Sequence, residues 1–378
     1  MTSDLPDISV PAELRPADGR FGSGPSKVRA EAFAALADVS STYLGTSHRQ
    51  APVRFMVSAL RNGLAEMLAL PDGYEVVLGN GGTTAFWDAA TFGLIERRSQ
   101  HLSFGEFSSK FAGAATRAPH LDEPEVIESA PGTHPDAKPS PGIDSYAYTQ
   151  NETSTGVMME LHRPEAVAAA EALVLVDATS GAGGLRFDPG EVDAYYFAPQ
   201  KGLASDGGLW LAALSPAAVE RVERIASGDR WVPASLDLAI ALDNSRKDQT
   251  YNTPALATIF LAVQQVEWIN GNGGLEWAAS RCDDSAGIIY GWAEASEIAT
   301  PFVDRPEDRS HVVATIDLDE IVDAEVVSGV LRRNGIVDTE SYRKLGRNQL
   351  RVALYPAIEP ADVAALTRCI DHVVASLT

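Results

Sequence analysis

The stretch LVLVDATSGAGGLRFDPGEVDAYYFAPQKGL, residues 173–203, decides how this chain folds. Two apolar runs of strand length, LVLV and AYYFA, are each followed by one ionisable residue, Asp177 after the first and Lys201 after the second. Neither run shows a clean apolar–polar alternation. Each therefore reads as a strand covered on both faces, as in a doubly wound, mostly parallel sheet between helical layers. Ligands of such sheets sit beyond the carboxyl ends of the strands, which places Asp177 and Gln200-Lys201 on one rim. Taken singly, the Asp reads equally well as a helix N-cap and the Lys as a solvated strand end. The rest of the chain decides between these readings.

Strand–helix alternation continues outward from this stretch. Residues 1–20 read as extended, since Pro6, Pro11 and Pro16 oppose a helix. A helix is expected from Pro25 to about residue 36, and Val53, Val57, Leu60, Leu64 and Met67 form one apolar stripe at helical spacing. A strand at 74–78, a glycine turn at 79–82 and a helix from Thr83 to about residue 96 follow. Further strands are expected around 101–104, 146–149, 173–176, 194–197 and 208–214, with 120–145 as an acidic, Pro- and Gly-rich surface connection. The stretch DNSRKDQTYNTPALATIF, 243–260, reads as a link into a long helix with Pro254 at its start. Strands at 311–318 and 349–355, with helices at 321–333 and 360–376, suggest a smaller α+β lobe. The expected division is a large α/β domain over residues 1–253 and a small C-terminal domain over 254–378.

Bulk properties exclude several classes. With 45% hydrophobic residues among 378 the chain can bury a large core. Its 30 basic and 52 acidic residues give a net charge of −22, which disfavours nucleic acid or an anionic membrane as partner. An anionic substrate must be collected by a few local Arg and Lys side chains. Cys282 and Cys369 stand far apart without metal-type spacing, arguing against a zinc site or a disulfide framework and for a reducing compartment. The start MTSDLPDISVP has no basic or apolar leader pattern, and no apolar run reaches membrane-spanning length. A cytoplasmic protein without a metal is expected.

Five further places carry candidate chemistry. GNGGTTAFWDAA, 79–90, follows a strand and opens a helix, so its backbone amides and helix dipole suit a phosphate. It matches neither dinucleotide nor P-loop spacing, and alone it is equally a plain tight turn. Asn151-Glu152-Thr153 ends another strand with polar groups, and Phe107 in SFGEFSSKF can stack on a flat ring. Their bland counterparts are a turn and a core aromatic. Arg351 interrupts the apolar strand QLRVALYP, where its fork needs an internal acid or an anionic ligand. His48 and Arg49 lie in the polar stretch LGTSHRQ between two helices. An amine and a carboxylate facing each other across one crevice suit pyridoxal 5'-phosphate: the amine condenses with the aldehyde and the carboxylate keeps the pyridine nitrogen protonated.

As an ordered set, GSGPSK (22–27), SHR (47–49), GNGGTT (79–84), EFSS (106–109), NET (151–153), VDAT (176–179), APQKG (198–202), YNTP (251–254) and RVALYP (351–356) resemble the phosphoserine aminotransferase family, in a form closer to its actinobacterial branch than to the common enterobacterial one. The resemblance covers nearly the whole chain. It implies a fold-type-I pyridoxal-phosphate transferase, with a large domain built on a mostly parallel seven-stranded sheet and a smaller α+β C-terminal domain. It also implies amino transfer from glutamate to the phosphorylated oxo-acid 3-phosphohydroxypyruvate, and related use in vitamin B6 synthesis. Lys201 would carry the cofactor and shuttle the substrate proton, Asp177 would pair with the ring nitrogen, Thr153 with the ring oxygen, and Phe107 would stack where many relatives have Trp. Thr83, Thr84 and Gln200 would bind the cofactor phosphate, joined by Asn252 and Thr253 from a second subunit of a homodimer with shared sites. Arg351 would hold the α-carboxylate, and His48 and Arg49 the distal anion.

Two departures stand out. Thr84 occupies a position where many relatives have Arg, and their His-Arg pair before Arg351 is replaced by YRKLGRNQLR, 342–351. Arg343, Lys344 and Arg347 are the candidates for the missing charge. Competing functions are an alanine–glyoxylate or serine–pyruvate type aminotransferase and, from another class, a non-catalytic α/β nucleotide binder using the 79–82 turn.

Overall fold

The structure is a computed structural model that describes residues 5–164 and 172–377. Residues 1–4 of the expected extended segment, and residue 378 of the expected small domain, lie outside the described residues. The strands, in chain order, are β1 (Glu75–Asn80), β2 (Ser99–Ser103), β3 (Glu125–Glu128), β4 (Ser145–Thr149), β5 (Asn151–Glu152), β6 (Val157–Met158), β7 (Leu173–Asp177), β8 (Ala194–Phe197), β9 (Leu209–Leu214), β10 (Ala299–Pro301), β11 (Val313–Leu318) and β12 (Gln349–Ala353). The helices are α1 (Ala30–Tyr43), α2 (Ala51–Met67), α3 (Thr83–Gly93), α4 (Glu106–Arg117), α5 (Pro216–Ala226), α6 (Leu238–Ser245), α7 (Leu256–Asn272), α8 (Gly274–Ala295), α9 (Ala324–Arg333) and α10 (Pro360–Leu377).

A seven-stranded sheet in the order β1-β9-β8-β7-β4-β2-β3 forms the centre of the larger core. The pairs from β8 through β7, β4 and β2 to β3 are parallel, while β9 runs antiparallel to both β8 and β1. This is the expected α/β architecture. Every residue of β2, β4, β7, β8 and β9 is buried, which explains why these strands do not alternate in sequence. One face packs on α2 and α7 through Val57, Leu60, Leu64, Ile259 and Val266; the other packs on α3, α4 and α5 through Phe86, Trp87, Phe111 and Val222. The second core joins the sheet β10-β11-β12 to α8, α9 and α10. Val10 and Phe21 belong to this second core, although they come from the N-terminal segment. α7, which lies beyond residue 253, packs on α2 in the first.

Two local expectations need correction. The first helix begins at Ala30 rather than Pro25 and runs on to Tyr43. Residues 24–26 are drawn away from helical geometry because the Ser26 N–H donates to Gln200 O at 2.9 Å and its hydroxyl donates to Lys201 O at 2.6 Å. The connection at 120–145 contains the edge strand β3, whose Glu125 and Glu128 charges remain compatible with an edge that is half solvated.

Candidate active site

The carboxyl ends of the parallel strands open into a cavity of about 350 Å³. Its walls include Thr83, Thr84, Phe107, Thr153, Asp177, Gln200, Lys201 and Arg351, so eight of the residues expected from sequence converge here. Asp177 is the last residue of β7, and Lys201 lies on the loop after β8, the strand hydrogen-bonded to it.

Lys201 is 7% exposed, and its Nζ donates to Thr153 Oγ1 at 2.9 Å. The Phe107 ring centroid lies 5.1 Å from that nitrogen. Burial pulls the amine down to about 8; Arg351 acts in the same direction, while Asp177 and Glu152 oppose it. A β-carbon on Gly24 would come within 2.8 Å of Lys201 Cε, and with φ at +149° the glycine is needed for conformation as well as for space.

Asp177 is buried and has no ion-pair partner among the described residues. Its Oδ1 accepts from the Thr179 N–H at 2.9 Å and the Thr179 hydroxyl at 2.5 Å; its Oδ2 accepts from the Trp87 indole at 2.9 Å. Burial pushes the carboxyl above its ordinary range, against the Thr179 and Trp87 donors and the Lys201 amine, which all favour the charge. Thr83 and Thr179 share a hydroxyl contact of 2.6 Å. A hydroxyl has one proton, and that of Thr179 is committed to Asp177, so Thr83 must be the donor in this pair. What Thr83 offers the cavity is its backbone N–H at the start of α3, where no side chain caps the helix.

Arg351 projects from β12 with its guanidinium 5.3 Å from the Tyr342 ring centre. One Nη donates to Thr153 O at 3.4 Å, and the buried Nε has no hydrogen-bond partner. The internal ion pair that was the alternative for this residue is absent among the described residues. Gln200 Oε1 and Asn151 Oδ1 are likewise buried without partners.

A pyridine ring with a phosphate and an aldehyde fits this donor set. The amine and the unpaired carboxylate stand in one cavity beside an aromatic face, with an uncapped helix start and unpartnered polar atoms on its walls. Glu152 fixes the aromatic face in place. Its fully buried carboxylate accepts from the N–H groups of Phe107 at 3.0 Å and Ser108 at 2.9 Å, and from the Ser154 hydroxyl at 2.7 Å. The Glu106 N–H in turn donates to Ser154 Oγ at 3.0 Å. The first amides of α4 are thereby satisfied by a charge at the helix's positive end.

His48, Arg49, Asn252 and Thr253 do not line this cavity; they gather on another part of the surface. His48 Nδ1 lies 3.2 Å from Thr253 Oγ1, and Arg49 donates to Gln249 Oε1 at 2.7 Å. Among the candidates for the missing charge, Lys344 is paired with Glu106 and Arg347 with Asp317, whereas Arg343 has no ion pair among the described residues. Sequence reasoning overlooked Trp87, Thr179, Ser180 and Tyr342. Trp87 was detectable, since it lies one helical turn after Thr83 and so faces the same side of α3. Tyr342 carried no signal. Among the described residues, no helix is long and apolar enough to cross a membrane, and no group of three or more His, Cys, Asp or Glu side chains is arranged to hold a metal ion.

The model of the family "Aminotransferase class-V" matches residues 110–342. A curated phosphoserine aminotransferase of Nocardioides sp. is 59% identical over 97% of this chain and 98% of its own length. A Mycobacterium avium relative is also 59% identical, over 98% of each chain. The solved phosphoserine aminotransferase of Cytophaga hutchinsonii superposes with a TM-score of 0.84 at 22% identity, covering 93% of this chain and 97% of that one, which bears on the fold alone. With the cavity and its residues, these findings place the chain in the class-V aminotransferase family.

Proposed function

We propose that this chain is a pyridoxal-phosphate-dependent phosphoserine aminotransferase, moving the amino group of L-glutamate onto 3-phosphohydroxypyruvate to give O-phospho-L-serine and 2-oxoglutarate. The observation that carries the reading is the cavity that brings together the buried amine of Lys201, the carboxylate of Asp177 and the guanidinium of Arg351, the last two without a salt-bridge partner among the described residues. When bound, the cofactor supplies an electron sink for the charge left as the substrate Cα loses its proton. Lys201 anchors the cofactor, and once freed it is the base that takes and returns that proton. Asp177 holds the ring-nitrogen proton, Thr153 and Phe107 orient the ring, and Arg351 takes the α-carboxylate. The α3 amides and Gln200 hold the cofactor phosphate.

His48, Arg49, Asn252 and Thr253 act across a homodimer interface, in the cavity of a second copy. Their position outside this chain's own cavity supports that, as does the apolar surface nearby: Phe55 is 70% exposed, Tyr251 45% and Leu44 39%. Hybrid dimers test the sharing. Far below the KM of Arg49→Ala, where its homodimers turn over little substrate, equal mixing of Lys201→Ala and Arg49→Ala chains restores one intact site in each hybrid, about a quarter of native activity overall. No recovery in dimers shown to have exchanged chains rules out shared sites. The division near residue 253, a cytoplasmic location and use of the vitamin B6 pathway's phosphorylated oxo-acid belong to the same reading. Assay of both phosphorylated oxo-acids with glutamate is the direct test. Inactivity on 3-phosphohydroxypyruvate, or faster turnover of unphosphorylated alanine or serine, overturns it.

A further inference from the structure

We propose that Trp87 is a positioning residue for the cofactor, its indole N–H holding one oxygen of Asp177 so that the carboxylate presents its remaining lone pair to the cavity. The inference rests on the cofactor reading above and adds a residue to it. Indole is a donor with a single proton and no acceptor, so it can hold a carboxylate but cannot replace it as partner to a ring nitrogen. The Trp87 proton is directed at Asp177 Oδ2 over 2.9 Å, and both residues are buried, each only 4% exposed.

The other oxygen is already doubly occupied. Thr179 gives Oδ1 both its N–H and its hydroxyl proton, and Thr83 backs that hydroxyl. With Oδ1 saturated from one side, Oδ2 is the oxygen left to meet a ligand, and Trp87 is what stops the carboxylate turning about its last bond. The indole is itself held. Its ring stacks on Phe111 at 6.4 Å between centroids and 16° between planes, and Phe111 meets the buried His101 edge-on at 4.8 Å. The donor is therefore placed by the hydrophobic layer beneath the sheet, not by a mobile loop. A residue at this position lacking an N–H would leave Asp177 with donors on one oxygen only.

Trp87→Phe removes the N–H and keeps most of the ring. Full-length native, Trp87→Phe, Asp177→Ala and double-variant chains, freed of cofactor, are to be titrated with pyridoxal phosphate by its visible band. Trp87→Phe is expected to weaken affinity about tenfold in the native background, the effect of one lost hydrogen bond to a charged group. In the Asp177→Ala background the same change is expected to alter affinity less than about twofold, because there is no carboxylate left to orient. Equal weakening in both backgrounds shows that Trp87 acts by packing, and an unchanged native affinity shows that its N–H is idle; either overturns the proposal. A native chain that develops no band overturns the cofactor reading and this inference together. Should Trp87→Phe fail to fold, indole nitrogen NMR decides between the native and Asp177→Ala chains. One of the six tryptophan N–H signals must be slow to exchange with solvent and must move on Asp177→Ala, and its absence sinks the proposal.

Discussion

Replacing Lys201 by alanine is expected to abolish amino transfer, lowering turnover by about 10⁴-fold, the upper end of what a positioned acid–base group contributes. In the proposed reading the side chain has two duties that no neighbour can assume. It is the amine in the cavity, and the groups around it are a hydroxyl (Thr153), a carboxylate (Asp177) and a guanidinium (Arg351), none a nucleophilic base near neutrality. The variant should also lose the borohydride-reducible link to the cofactor, checked by peptide mass mapping. A variant that keeps a tenth of native turnover contradicts the assignment. The native chain offers a pH test of the same residue. Attack on an aldehyde requires the neutral amine, and burial brings Lys201 to about 8. The facing charges are Asp177, Arg351 and Glu152. Cofactor uptake by stripped protein should therefore rise with pH and reach half its plateau near the folded-state value of about 8, well before an exposed lysine would titrate.

Asp177→Ala is expected to slow the chemical step by roughly 10²–10³-fold, the scale of removing one preorganised electrostatic partner from a dry site. The loss exceeds that of a surface charge because Trp87, Thr179 and Thr83 are all arranged around this one carboxylate. Arg49→Ala, by contrast, should raise KM and leave the single-turnover rate at saturating substrate nearly unchanged, as expected for a group that binds the distal end of the substrate. Rapid-mixing measurement of both variants gives the order. A slower chemical step in Arg49→Ala than in Asp177→Ala refutes the assignment of Asp177 to the ring nitrogen.

The strands that carry the site were legible because they are buried on both faces. Short continuous apolar runs such as LVLV and AYYF, rich in β-branched and aromatic residues and bounded by polar and Gly-containing turns, read as central strands, and their C-terminal ends located Asp177 and Lys201. Thr153, Phe107 and Arg351 were legible as polar or aromatic residues at the ends of elements or inside an apolar strand. Trp87 reads in sequence as part of an ordinary helix, since a tryptophan at helical spacing is usually core, and its ring is indeed core; its place on the cavity wall and the direction of its N–H join it to the site. Tyr342 reaches the cavity through the short 3-10 turn at Arg343–Leu345, a local shape that no periodicity announces. The start of α1 was misplaced for a related reason. The bonds from Ser26 to Gln200 and Lys201 span some 175 residues, and contacts that distant leave no trace in the local pattern.

The path of residues 20–26 has a mechanical corollary. Arg20 bridges to Val337 and Phe21 O accepts from the Ala353 N–H, so this backbone is stitched to the smaller sheet; five residues on, Ser26 is stitched to the Lys201 loop of the larger one. Between the stitches, Gly24 forms a collar against the methylenes of Lys201. Any swivel of one core upon the other must tug this strap, and the first atoms to feel the tug are those beside the amine.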